Sequence, residues 1–152
     1  MLVLLRIAFC TLLLLTCELR PQDSKPAGIA FNLLQTLDGH NDVVFDVAIS
    51  SDGAWLASAC HDGKVRIWNT KTWKLTNTLA GHEQQSYAVA FSREKKSSRV
   101  LASSGMDNMV RFWNVKNWEP EGKPLKGHTD DVFALDFSAD GKWLASAGFD
   151  SK

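Results

Sequence analysis

From about residue 32 onward, apolar and polar positions alternate in short runs with the two-residue period of a strand, not the 3.6-residue period of a helix. In the first run Val43, Phe45, Val47 and Ile49 alternate with Val44, Asp46, Ala48 and Ser50. Ser51-Asp52-Gly53 then supplies a turn, residues 55–60 a second strand, and Asp62-Gly63 a tight hairpin turn. Residues 65–68 and 75–79 read as third and fourth strands, and an outer strand near 33–37 precedes them all. Residues 1–17 are almost wholly apolar and form the one stretch compatible with a helix.

The same run recurs. Gly39-His40, Gly81-His82 and Gly127-His128 place their histidines 42 and 46 residues apart. Between them stand LASACHDGKVRIWN at 56–69 and LASSGMDNMVRFWN at 101–114, and a third copy gives LASAGFD at 144–150. The second copy is lengthened by a charged loop at 93–99. Four short antiparallel strands per unit of about 40–45 residues imply a propeller blade. The predicted fold is therefore all-β, a partial β-propeller of four-stranded antiparallel blades forming an incomplete ring. The repeats fall near 32–69, 75–114 and 123–152.

The Gly-His opener, the Asp in the hairpin turn and the Trp-Asp-like closer, here Trp-Asn, resemble the WD-repeat family across 32–152. The resemblance implies a buried hydrogen-bonded chain in each blade. It runs through His40, Ser58, Asp62 and Trp68 in the first blade, and His82, Ser103, Asp107 and Trp113 in the second. His128, Ser146 and Asp150 are its members in the third. In that chain Asp accepts from His, His meets the Ser hydroxyl, and Ser accepts from the indole N–H. The resemblance also implies three partner-facing positions per blade. The fifth residues after each His are Phe45, Tyr87 and Phe133, and the third are Val43, Gln85 and Asp131. The residues before the turn Asp are His61, Met106 and Phe149. Aromatic and Met side chains are enriched at interface cores, so a protein-binding patch centred on Phe45, Tyr87 and Phe133 is expected.

Other chemistry is excluded by the pattern. A His-Ser-Asp set repeated in every blade is not a catalytic triad, whose nucleophile is singular and exposed beside an oxyanion site. Three of the four histidines belong to Gly-His pairs a blade apart, and His61 has no Cys or His at ligand spacing, so no metal or other cofactor is expected. No phosphate-binding Gly-rich loop is present, and the turns at 51–55 and 139–143 lack the spacing of a sialidase Asp-box. Seventeen basic residues balance seventeen acidic ones, leaving no global field toward nucleic acid or an anionic membrane. Cys60 stands alone in the body of the chain and reads as a small buried hydrophobe. Trp55 and Trp143 open second strands, while Trp73 and Trp118 sit at turns where a ring can cover a blade edge.

Residues 1–17 suit a secretory leader, with 7–15 as its apolar core and Arg6 as its positive flank. Leu14-Leu15-Thr16-Cys17 resembles a lipobox, in which Cys17 would be lipidated, although Thr16 departs from the usual Gly, Ala or Ser. Export is the expected localisation, with any membrane contact made through the leader or its lipid. An intracellular site is the alternative. Residues 18–31, with Pro21, Pro26 and Gly28, read as a linker. A propeller closes with about 4–8 blades. A chain with two full blades and part of a third is expected to be a fragment, or to complete its ring by self-association.

Overall fold

The computed structural model describes residues 2–4, 11–17, 31–93 and 99–152. Among them there is no helix, and so none long and apolar enough to cross a membrane. The first sheet contains β1 (Leu2–Leu4), β2 (Thr11–Cys17) and β3 (Phe31–Asp38), in that order. The first blade is β4 (Val44–Ile49), β5 (Trp55–Cys60), β6 (Lys64–Asn69) and β7 (Lys74–Ala80). The second is β8 (Ser86–Phe91), β9 (Val100–Gly105), β10 (Met109–Asn114) and β11 (Leu125–Lys126). The third comprises β12 (Val132–Phe137) and β13 (Leu144–Gly148). Every paired neighbour is antiparallel. β4, β8 and β12 lie side by side as the innermost strands of successive blades, an open arc of a propeller.

The stretch read as a leader departs from the helix its composition allows. Backbone pairing joins Thr11–Cys17 to β3, with Leu12 opposite Leu37 and Leu13 opposite Thr36. The physical reason is that an outer strand offers a row of unpaired N–H and C=O groups, and a neighbouring extended segment satisfies them. Residues 18–30, read as the linker, lie outside the described residues, as do residues 94–98 of the charged loop. Arg93, at that loop's edge, pairs with Asp136 of β12 at 2.8 Å.

Each gap between blades holds an apolar cluster. Leu37, Val44, Leu56 and Trp68 pack β3 against the first blade. Ile67, Leu79, Val89, Phe91, Leu101 and Trp113 join the first blade to the second. Ala90, Val110, Val132 and Phe137 join the second to the third. Glycine in the Gly-His pair has a packing cause. A Cβ on Gly81 would stand 2.6 Å from the Trp113 ring, and one on Gly39 would stand 3.2 Å from Trp68. The tryptophans at the turns also take part. Trp118, at φ 60°, lays its ring edge-on to Trp55 of the preceding blade, centroids 5.4 Å apart, and lies 6.5 Å from Phe91. Cys60 is fully buried, and burial raises its thiol pKa above the ordinary value.

Candidate functional site

The strict alternation read for residues 43–50 fails at one residue, and that residue opens the site. Val44 faces Cys60 and Asp46 faces Ala59, so Phe45 is an extra residue in its strand, a β-bulge. The same irregularity lies between Ser86 and Ala88, at Tyr87, and between Val132 and Ala134, at Phe133. A bulge leaves its residue out of the ladder and re-aims the side chain. Val44, Ser86 and Val132 stay buried, while the next side chain in each blade turns outward.

The three outward rings meet. Phe45 and Tyr87 pack edge to face at 5.0 Å, and Tyr87 stacks on Phe133 at 4.4 Å with planes 21° apart. Phe149 extends the row, 4.3 Å from Phe133, and His61 begins it, 5.9 Å from Phe45. The result is a ladder of five rings crossing three blades. Phe45, Phe133 and Phe149 are 37%, 38% and 69% exposed, and Val43 and Met106 beside them are also exposed. Offset and edge-on ring pairs contribute about 0.5–1.5 kcal/mol each beyond the area they bury.

The remaining predicted positions are tied to the ladder by one repeated backbone bond. The N–H groups of His61, Met106 and Phe149 donate to the carbonyls of Val43, Gln85 and Asp131, at 2.8, 2.9 and 2.9 Å. Each bond clamps a hairpin turn to the loop that follows the Gly-His pair. The Tyr87 hydroxyl donates to Gln85 Oε1 at 2.7 Å. Burial and the neighbouring Asp131 carboxylate raise its pKa above the ordinary phenol value. His61 is held through Nδ1 by Asp42 at 2.9 Å.

Behind this face lie the bonded chains. In the second blade Trp113 Nε1–H donates to Ser103 Oγ at 2.9 Å, Ser103 lies 2.8 Å from His82 Nε2, and His82 Nδ1 lies 2.9 Å from Asp107. Burial alone would raise the Asp107 pKa, but its bonds with His82, Arg111 and the Met109 N–H hold it at about 2. In the third blade His128 contacts Ser146 at 2.8 Å and Asp150 at 2.9 Å.

The first blade differs. Trp68 donates to Ser58 at 3.0 Å and Ser58 meets His40 at 2.9 Å, but Arg66 stands between His40 and Asp62. Its guanidinium grips Asp62 at 2.6 and 3.2 Å and reaches His40 Nδ1 at 3.3 Å. Burial first, and the Arg66 charge second, lower the His40 pKa to about 4. Sequence reasoning had no place for Arg66; the signal was an Arg four residues after the turn Asp in both complete copies, Arg66 and Arg111.

Asp46 was missed as well. Its carboxylate accepts from Val89 N–H across the blade gap at 3.0 Å and from Val47 N–H at 2.8 Å, and burial raises its pKa. A charged residue inside an otherwise apolar inner strand was the available clue.

Repeated four-stranded blades with an indole-closed bonded chain define a β-propeller repeat protein. The sequence profile described as WD domain, G-beta repeat, matches residues 31–69, 73–114 and 118–152, and the chain belongs to that family. It is 32% identical to Protein FIZZY-RELATED 2 of Arabidopsis thaliana over 114 residues, 75% of this chain and 23% of that protein. It is 31% identical to Elongator complex protein 2 of Dictyostelium discoideum over 120 residues, 74% of this chain and 13% of that protein. WD repeat-containing protein SL1-17 of Schistosoma mansoni is 31% identical over 114 residues, 74% of this chain and 36% of that protein. The chain thus spans well under half the length of these relatives. The family is in general a non-catalytic interaction scaffold.

Proposed function

We propose that this chain is a non-catalytic interaction module that captures a protein partner on the ring ladder of Phe45, Tyr87, Phe133 and Phe149. The observation that carries this reading is continuity. A bulge in each of three blades aims one aromatic outward, and the rings touch in a row instead of standing as isolated exposed residues. A contiguous apolar patch rimmed by polar groups marks a contact surface on a folded protein, where aromatic side chains supply the central contacts. One relative is named as a component of the Elongator complex, and membership of an assembly accords with this role. The Ser hydroxyls of the first two blades are buried and accept an indole N–H, which gives the His-Ser-Asp sets a packing role. Replacing Phe45 and Phe133 together by Ser is expected to abolish partner capture while the β-sheet circular dichroism spectrum is kept and the melting temperature falls only by the lost ring contacts. Undiminished capture would refute the reading.

A second reading rests on the third blade. A slot of about 380 Å³ beside His128 and Ser146 is lined by Val110, Leu125, Gly127 and Leu144. In the other blades the equivalent His and Ser hold an indole, opposite Leu56 and Leu101 respectively. A strand bearing Trp opposite Leu144 would bond Ser146 in the same way, and a neighbouring copy could supply it. Light scattering tests this: a discrete multiple of the 16.9 kDa chain mass supports closure between copies, and a monomer rejects it.

A further inference from the structure

The loops that carry the ring ladder have a charge of one sign. Residues 41–43 are Asn-Asp-Val, 83–85 Glu-Gln-Gln and 129–131 Thr-Asp-Asp, so the three loops together hold Asp42, Glu83, Asp130 and Asp131 and no Lys or Arg. The whole chain has equal numbers of acidic and basic residues, so this imbalance is local to the loops and is not inherited from composition. Glu83 and Asp130 are exposed, and Asp131 lies beside the Tyr87 phenol in the middle of the ladder. The turns beside these loops carry two exposed lysines, Lys64 in the first and Lys152 in the third, and Lys152 Nζ is drawn to the Gly127 carbonyl at 3.3 Å and lies 4.0 Å from Asp150.

We propose that the ladder takes a basic segment of a protein partner, with an arginine guanidinium stacked on the Phe45–Tyr87–Phe133 rings and flanked by Glu83, Asp130 and Asp131. The proposal rests on the ladder being the binding face and adds the chemistry of its occupant. Ring faces are electron-rich and attract a cation lying within about 6 Å of the centroid. A guanidinium is planar and weakly hydrated, so it stacks on rings while its edge N–H groups remain free for carboxylates. Acidic loops around an apolar row therefore favour a partner carrying positive charge at its centre, and disfavour an acidic one by like-charge repulsion.

The test uses a random heptapeptide phage library panned on the full chain, with the Phe45→Ser, Phe133→Ser double variant as counter-target. The expected result is enrichment of clones with Arg or Lys at a fixed position that bind the parent and not the ring variant. Glu83→Gln with Asp131→Asn, which leaves the rings in place, should weaken those clones about 3- to 10-fold at low salt, and raising the salt should shrink the difference. Ring-dependent clones that lack a basic residue would overturn the basic occupant and leave the binding face standing. Clones indifferent to the ring variant, or no enrichment over it, would overturn both.

Discussion

Arg66 sets the proton positions of the first bonded chain. A guanidinium has no lone pair, so His40 Nδ1 must accept from it and the ring carries its proton on Nε2, toward Ser58. In the second blade the Asp107 carboxylate can only accept, so His82 carries its proton on Nδ1. Nitrogen NMR should therefore report opposite neutral tautomers for two histidines that occupy equivalent positions. Burial of His40, with Arg66 as the second cause, sets its acid sensitivity. Unfolded, His40 titrates near its ordinary 6.5, and in the fold near 4. Between those values the unfolded chain binds more protons. The contribution of His40 is thus complete above pH 6.5 and falls as pH drops toward 4, by on the order of 2–3 kcal/mol. Asp62, Asp107 and Asp150, each held at about 2, add a second loss as pH falls below their ordinary 3.8. Arg66→Met should move the His40 titration upward, an NMR shift that fails if Arg66 is a bystander. Ser58→Ala and Ser103→Ala leave a buried indole N–H and one imidazole nitrogen, Nε2, unpartnered, so each should cost roughly 1–3 kcal/mol in urea unfolding. Ser146→Ala, at an exposed position with no indole bonded to it among the described residues, should cost less.

Hairpins and bulges explain what the sequence could and could not reveal about single elements. The strands from β3 to β7 lie within two residues of the positions read from alternation, because each is bounded by Gly, Asp or Ser turn chemistry that acts locally. The bulges at Phe45, Tyr87 and Phe133 were invisible to alternation, since a bulge is a property of two paired strands and not of one. Which residues crowd a turn was equally hidden. Gly63, at φ 77°, sits in the first hairpin turn, where a Cβ would lie 2.6 Å from the Gln84 carbonyl of the next blade's loop. Gly63→Ala combines a left-handed backbone with that clash and should lower stability by at least about 1–3 kcal/mol in thermal or urea melts. The β2–β3 pairing makes its own prediction. If residues 1–17 are removed on export, β3 loses that neighbour, and intact-mass measurement of the protein recovered from cells reports whether β2 is retained.

Across the whole molecule, stability is a sum of contacts between successive blades, as in other repeat proteins. The period could be read from the sequence because the motif is written three times, whereas the expected His40–Asp62 link gives way to Arg66 in the first blade. Contacts that cross a gap, such as Asp46 to Val89, Arg93 to Asp136 and Trp55 to Trp118, pair residues with no shared motif and appear only in three dimensions. Trp118→Ala should weaken the coupling of the first two blades, costing about 1–3 kcal/mol for a partly buried ring and broadening the urea transition. The bulge has one more consequence. A residue looped out of the hydrogen-bond ladder is released from the pattern that builds the blade, so a change in its identity forfeits its ring contacts and leaves the strand pairing intact. The scaffold thereby offers one rewritable letter per repeat, set side by side in a short line. A change of partner would require editing those letters alone, and the grammar of the fold would stay untouched.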